Sequence, residues 1–316
     1  MKYIDQYEKP ILVAGGRGMV GAAIIRELSR AGFSQILAPT RSELDLTDGR
    51  ATRDWFAKHR PYWVFDAAAK VGGIMANSQS PADFIRDNLL IQLNLIESAY
   101  LHGCAKFLFL GSSCIYPKLA VQPIREDYLL TGALEPTNQA YALAKIAGIE
   151  TVNSYRKQYG FCGISLMPTN LYGPFDNYDL TTSHVLPAMI RKFHEGKLAS
   201  SDSVTIWGSG SPRREFLHVD DLASACLFLM ETYDDPLHIN VGTGSDVTIL
   251  ELAELVARTV GFKGTIIRDT SKPDGTPRKL LDVSRLTALG WRARIDLESG
   301  IAQAYQSFLA GEIRHP

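Results

Sequence analysis

The chain has 316 residues, 33 basic and 34 acidic, for a formal net charge of -1. That balance, without any basic run, argues against a nucleic-acid partner, and no apolar stretch is long enough to span a bilayer. Hydrophobic residues make up 46%, enough for a large core and, at this length, for two domains.

The opening Met1-Lys2-Tyr3-Ile4-Asp5-Gln6 lacks the apolar segment of a signal peptide, so the cytoplasm is the expected compartment. Cys104, Cys114, Cys162 and Cys226 show no CxxC spacing and no clustering with histidine, which argues against disulfides and against a zinc site; no metal is expected.

Ile11-Leu12-Val13-Ala14 reads as a buried strand. The loop Gly15-Gly16-Arg17-Gly18-Met19-Val20-Gly21 follows, then a helical run from Ala22 to Leu28. Strand, glycine loop and helix form the opening unit of a dinucleotide-binding fold, in which glycines admit a pyrophosphate and the helix N-terminus supplies N–H groups. The spacing is GxxGxxG, and its position between strand and helix gives it weight. The second strand is expected at Gln35–Ala38. The region about 20 residues past the glycines, where an NAD site places a carboxylate, reads Pro39-Thr40-Arg41-Ser42. Arg41 would attract a 2′-phosphate, and Arg17 would add charge or stack on adenine, so NADPH is the expected cofactor. Asp45 and Leu46 fall where the chain would pass the adenine.

Tyr62 to Ala69 is expected as a fourth strand, Val71-Gly72-Gly73-Ile74 as a loop over the crevice, and Asn88 to His102 as a helix. Lys106–Leu110 is a further strand, ending in Leu110-Gly111-Ser112-Ser113-Cys114. Small hydroxyls and a thiol are thereby delivered to the carboxyl edge of a sheet, where open α/β sheets hold ligands. Tyr141 and Lys145 are four apart on a helix approached through Pro136, so phenol and ammonium share a face. Hydroxyl, phenol and lysine are the parts of a carbonyl-reducing site. Ile164–Pro168 is another strand, and Thr169-Asn170-Leu171-Tyr172 is expected as a loop at the same edge.

Beyond this point the βα rhythm loosens. His184 begins a helix that runs toward Lys192. A strand and turn span Val204–Gly210 and include Trp207, and Arg213-Arg214 follow. Val219 opens a helix, and residues 272–279 form a basic, proline-broken loop with Asp274 and Lys279. Arginine, lysine and an indole together suit a nucleotide diphosphate with a stacked base.

The glycine loop, Ser112, Tyr141-x-x-x-Lys145 and Arg214-Glu-Phe-Leu-His-Val-Asp-Asp-Leu-Ala223 resemble the extended short-chain dehydrogenases/reductases that act on nucleotide sugars. The resemblance is closer to the epimerase-reductases of GDP-4-keto-6-deoxy-D-mannose. It is carried by Leu110-Gly-Ser-Ser-Cys-Ile-Tyr-Pro-Lys118, Ala67-Ala-Ala-Lys-Val-Gly-Gly-Ile74, Met167-Pro-Thr-Asn-Leu-Tyr-Gly-Pro174 and Ser271-Lys-Pro-Asp-Gly-Thr-Pro-Arg-Lys-Leu-Leu-Asp282, and it covers essentially the whole chain. Gly16 departs from the histidine usual there, and Lys192 stands where an arginine also occurs.

This resemblance implies an α/β protein: a Rossmann-type doubly wound parallel sheet with a smaller C-terminal α/β lobe for a GDP-sugar. Residues 1–175 would bind NADP, with a returning segment at about 215–240; residues 176–214 and 241–316 would bind substrate. It implies catalytic roles for Ser112, Cys114, Tyr141, Lys145 and His184. It adds cofactor contacts at Leu110, Gly111, Ser113, Pro168, Thr169, Asn170, Leu171 and His184, and substrate contacts at Lys192, Trp207, Arg214, Asp274 and Lys279. The GDP phosphates would meet Arg214, Lys192 and Lys279. Cys114 and His184 would act as base and acid in epimerisation, and Tyr141 would protonate O4 during reduction. A homodimer is expected through the Asn88–His102 and Tyr141 helices. A nucleotide-sugar epimerase or dehydratase that recycles bound NAD would share Ser112, Tyr141 and Lys145, but would favour an acidic residue near position 41. A non-enzymatic NADPH-sensing regulator would typically lack the Tyr-x-x-x-Lys pair.

Overall fold

Ile11–Ala14, four buried residues in a row, forms strand β1 of a computed structural model that describes residues 7–272 and 274–313. The first six residues and Pro273 of the expected basic loop lie outside that range. A continuous apolar run is what a strand covered on both faces requires. Helix α1 (Met19–Arg30) follows with Gly18 as its N-cap. Strand β2 (Ile36–Leu37) leads to α2 (Gly49–His59), whose first N–H groups are capped by the Asp48 carboxylate.

Strand β3 (Trp63–Asp66) is the third strand of the chain, not the fourth, and it ends before Ala67-Ala68-Ala69. A loop through Gly73 leads into α3 (Ile74–Gln79). Helix α4 (Pro81–Leu101) begins a full two turns before Asn88 because Pro81 supplies a favourable first position. Strand β4 (Lys106–Leu110), helix α5 (Gln139–Tyr159) and strand β5 (Gly163–Pro168) fall where the sequence puts them.

The expected loop after β5 is instead a short strand, β6 (Asn170–Tyr172). Then come α6 (Val185–Leu198), β7 (Ser203–Trp207), β8 (Arg213–Arg214), β9 (Phe216–His218) and α7 (Val219–Thr232). β6 pairs in parallel with β9, Asn170 opposite Phe216. The chain ends with β10 (Ile239–Val241), β11 (Val247–Thr248), α8 (Ile249–Val260), β12 (Thr265–Asp269), β13 (Arg278–Lys279), α9 (Ser284–Ala288) and α10 (Leu297–Leu309).

Six parallel strands make the central sheet in the order β10-β5-β4-β3-β1-β2. Side chains alternate between its faces. Trp63 and Phe65 join the core under α1 and α7, while Val64, Phe107 and Phe109 join the core under α4 and α5. The chain builds β2 on one side of β1 and β3 on the other, so the sheet's topological switch lies between the carboxyl ends of β1 and β3. A third core gathers Phe193 of α6, Ile206 of β7, Val256 of α8 and Ile301 of α10. Strands β11, β8 and β13 form a small separate sheet in that order. Among the described residues, no helix is long and apolar enough to cross a membrane.

Candidate active site

The glycine loop turns at the switch point. Gly15 has φ +76°, and a Cβ there would lie 2.7 Å from the Ala67 carbonyl oxygen just after β3. A Cβ on Gly21 would run into the Gly15 carbonyl, and the Gly18 N–H donates to that same oxygen at 2.9 Å. Gly18 has no side chain with which to cap α1, so the first N–H groups of the helix are left for a ligand. This cradle, which any larger residue would fill, fits the pyrophosphate of a dinucleotide. Gly16 is buried, and a Cβ there would come within 2.7 Å of Ala38 Cβ and 2.9 Å of Ile25 Cδ1. A side chain at this position would therefore crowd Ala38 and Ile25.

Arg17 and Arg41 are both exposed. Arg41 lies 3.7 Å from Asp45, whose carboxylate also accepts from the Thr47 N–H and hydroxyl. The Leu46 carbonyl accepts from Asn94 at 2.8 Å, tying this segment to α4. Sequence reasoning passed over Glu43. Its carboxylate accepts from the Thr40 N–H at 2.7 Å and hydroxyl at 2.8 Å. Those bonds, with the Arg17 charge as a smaller cause, hold it below the usual carboxylate range. Thr40-x-x-Glu43 has the spacing of a capping box, and that was its signal.

The end of β4 gathers the hydroxyl, thiol, phenol and ammonium expected from the sequence. Ser112 caps a 3-10 turn over Ser113–Ile115, its hydroxyl accepting the Cys114 N–H at 3.2 Å. Ser113 is buried within that turn, and the Gly111 N–H donates to the Leu166 carbonyl of β5. From α5, Tyr141 reaches the turn and shares a hydrogen bond with Ser112. Burial pushes the phenol well above its ordinary value; the Cys114 side chain raises it further and the Ser112 bond opposes the shift. Lys145 is buried and donates to the Leu110 carbonyl at 2.7 Å, with its ammonium 4.8 Å from the Phe109 ring centre. Burial lowers its pKa, and the Asp66 carboxylate pulls the other way.

Two residues expected on the substrate side have partners within the chain. The Lys279 ammonium donates to the Cys114 sulfur at 3.7 Å. β13 runs parallel to β8 with Lys279 opposite Arg214, and that pairing carries the lysine to the thiol. Both Asp274 oxygens are engaged by Ser209, from its N–H at 2.9 Å and its hydroxyl at 2.7 Å, so this carboxylate pins the turn after Trp207. The Arg214 guanidinium donates to the Thr276 and Arg213 carbonyls. Trp207 is 63% exposed, an unusual state for an indole, with the Lys192 and Lys272 ammonium groups 5.5 and 5.7 Å from its ring centre. A cleft of about 430 Å³ opens there, lined by Lys192, Glu195, Val204 and Trp207.

His184 is the N-cap of α6. Its loop is held to the crevice by the Gly73 N–H, which donates to Thr182 at 3.1 Å. Although solvent reaches the ring, the surrounding protein lowers its pKa through desolvation. Pro168 ends β5 opposite Val241, the Thr169 N–H donates to the Val241 carbonyl, and Asn170 donates to the Glu215 carbonyl at 2.8 Å. With Leu171, these residues form the seam between β5 and β9. The structure thus brings Ser112, Cys114, Tyr141, Lys145 and Lys279 together and sets His184 on a separate element.

Comparison with known proteins agrees with this geometry. Residues 11–242 match the family described as NAD dependent epimerase/dehydratase. The chain is 56% identical to GDP-L-fucose synthase 1 of Arabidopsis thaliana, over 95% of this chain and 93% of that one. It is 54% identical to GDP-L-fucose synthase of Escherichia coli (strain K12), over 96% and 98%. The solved GDP-L-fucose synthetase of Naegleria fowleri bound to NADP superposes with a TM-score of 0.91 at 28% identity, covering 97% of this chain and 94% of that one. A parallel sheet with its glycine cradle at the switch point, matched over most of its length by the family pattern, makes this chain a member of the NAD dependent epimerase/dehydratase family.

Proposed function

We propose that this chain is an NADPH-dependent epimerase-reductase that converts GDP-4-dehydro-6-deoxy-D-mannose to GDP-L-fucose, by inversion at C3 and C5 and then reduction of the C4 ketone. The observation that carries the reading is a thiol, Cys114, set beside the Ser112–Tyr141 pair in a chain 54% identical to an Escherichia coli GDP-L-fucose synthase. Simple ketone reduction has no use for a thiol there.

The C3 and C5 protons are both α to the ketone, and removing either leaves an enolate with its charge on O4. Ser112 and Tyr141 donate hydrogen bonds to that oxygen. Cys114 and His184 exchange protons with the ring from opposite faces, one removing a proton and the other returning it. Because desolvation favours the neutral imidazole, His184 must take up a proton before it can return one to the ring. Bound NADPH supplies hydride for C4. Tyr141 then protonates O4, and Lys145 holds the ribose hydroxyls and supports the resulting phenolate. Gly15 to Gly21 hold the pyrophosphate, and Arg17 and Arg41 face the 2′-phosphate. Arg214 and Lys192 meet the GDP phosphates, and the base stacks on Trp207. In this reading residues 1–175, with a return at about 215–240, are the cofactor domain, and the remainder is the substrate domain.

We place the protein in the cytoplasm as a homodimer. Leu90, Leu93 and Leu101 of α4 and Leu143 and Tyr159 of α5 are exposed, an apolar surface that pairing of these helices between two copies would cover. Leu93→Glu should shift the sedimenting species from dimer to monomer. The activity test is incubation with GDP-4-keto-6-deoxymannose and NADPH, following cofactor absorbance and product by NMR. The expected result is one NADPH consumed per GDP-L-fucose formed. An enzyme that recycles bound NAD would turn over without consuming NADPH, and that result would overturn the reading.

A further inference from the structure

Asp66 is a carboxylate that the chemistry above leaves unused. It ends β3 at the topological switch, between Ala14 of β1 and Phe109 of β4 in register. It is 1% exposed. One oxygen accepts the Ala68 N–H at 3.2 Å; the other is buried without a hydrogen-bond partner. An isolated charge in such a place is costly unless another charge answers it.

Alternation along β3 turns Asp66 to the same side of the sheet as Val64, toward α4 and α5. Its register partner there is Phe109, and the Lys145 ammonium lies 4.8 Å from the Phe109 ring centre. Neighbouring strands stand about 4.8 Å apart, so the carboxylate lies beside the ring that carries the ammonium. Among the described residues, the Asp66 carboxylate is the charge that raises the Lys145 pKa, and the Lys145 ammonium the charge that lowers that of Asp66. Tyr141 of α5 also faces this pocket and feels both Cys114 and Asp66. From α4 the pocket receives the neutral amide of Gln92, which donates to the Ala144 carbonyl at 2.7 Å.

We propose that Asp66 is a positioning residue for the reduction step, its carboxylate serving as the counter-charge that holds Lys145 as an ammonium aimed at the nicotinamide ribose. The proposal rests on the reading of Tyr141 and Lys145 as the reducing pair. Among the described residues, the hydrogen-bonded partner of Lys145 is the neutral Leu110 carbonyl, and burial works against its charge. Asp66 titrates near pH 6 because burial raises it and Lys145 restrains the rise. At neutral pH and above, the carboxylate is therefore ionised and supports the ammonium.

Asp66→Asn keeps the size and the Ala68 bond and removes the charge. The first measurement is NADPH affinity against pH, by quenching of cofactor fluorescence, which needs no sugar substrate. The alkaline limb of binding should move to lower pH by about one unit, the smaller end of what a neighbouring opposite charge does. The alkaline limb of NADPH oxidation with the GDP-sugar should move with it, lowering kcat above neutral pH while the KM for the sugar stays put. If the sugar is not turned over at all, the functional reading fails but the binding limb still tests Asp66. A folded Asp66→Asn protein whose binding limb is unmoved overturns the proposal. The second measurement, independent of that variant's folding, is a carbon-13 NMR titration of the Asp66 carboxyl in the unmodified chain and in Lys145→Met. Loss of the ammonium should raise the Asp66 midpoint, and a midpoint unchanged by Lys145→Met overturns the proposal.

Discussion

Substituting Lys279 by methionine separates two accounts of its role. As a phosphate ligand it would act on substrate binding; as a donor to the Cys114 sulfur, at 3.7 Å, it acts on proton transfer at the sugar ring. Methionine keeps the length and apolar stem and removes the ammonium. A hydrogen bond involving a charged group contributes about 1.5–3 kcal/mol. The contact is long and Lys279 is only half-buried, so the lower half of that range applies. At about 1.4 kcal/mol per tenfold in rate, Lys279→Met should slow solvent deuterium incorporation at C3 and C5 by about 10- to 40-fold, read by NMR on the nucleotide sugar in D2O. NADPH affinity should not change. Arg214→Ala is the contrast. Its guanidinium is held by the Thr276 and Arg213 carbonyls and makes no hydrogen bond to the thiol among the described residues, so the substitution should raise the KM for the GDP-sugar about tenfold or more and leave exchange at saturation intact. If Lys279→Met instead raises KM while exchange at saturating substrate stays normal, the thiol contact has no catalytic consequence and this reasoning is refuted.

Three other perturbations test the cofactor side. Gly21→Ala puts a methyl against the Gly15 backbone, which cannot move aside like a side chain; NADPH affinity by fluorescence titration should fall more than tenfold. Arg41→Asp should cut the preference for NADPH over NADH by about tenfold or more, since a carboxylate repels the 2′-phosphate; equal affinities for the two cofactors in the unmodified chain would refute the assignment. Tyr141→Phe should lower NADPH oxidation by about 10²- to 10⁴-fold, the usual worth of a positioned acid, with cofactor affinity within twofold of the parent.

Where the sequence was legible, the signal was local. Four apolar residues, three spaced glycines and a helical run identify β1, the loop and α1 without help from any distant residue. Tyr141 and Lys145 are four apart on one helix, so their convergence follows from helical geometry alone. Longer-range pairings left no such trace. Lys279 reaches Cys114 across 165 residues of sequence, through a pairing between two two-residue strands that are too short to show a period. Asn170–Tyr172 reads as a loop for the same reason, since a three-residue strand between Pro168 and Pro174 takes its identity from β9. Asp66 escaped notice because a carboxylate after Trp63-Val64-Phe65 looks like the polar end of a strand. Only the sheet order shows that this end faces Lys145.

The position of Lys279 depends in turn on Glu215, the residue between β8 and β9. Glu215 is fully buried. One carboxylate oxygen accepts the Thr243 and Gly244 N–H groups at 2.7 and 2.8 Å, just after β10; the other accepts the Leu281 N–H at 3.0 Å, two residues past Lys279. Its own N–H donates to the Lys279 carbonyl, and its carbonyl accepts from Asn170 at 2.8 Å. Burial nonetheless holds its pKa above the ordinary carboxylate range, with the backbone donors working against that rise. A single side chain therefore fixes the strand carrying Lys279 to the edge of the central sheet that, through β5 and β4, carries Cys114. The ammonium and the thiol meet because both are tied to that sheet, so a change at Glu215 should disturb proton exchange at the sugar without touching the glycine loop between β1 and β3.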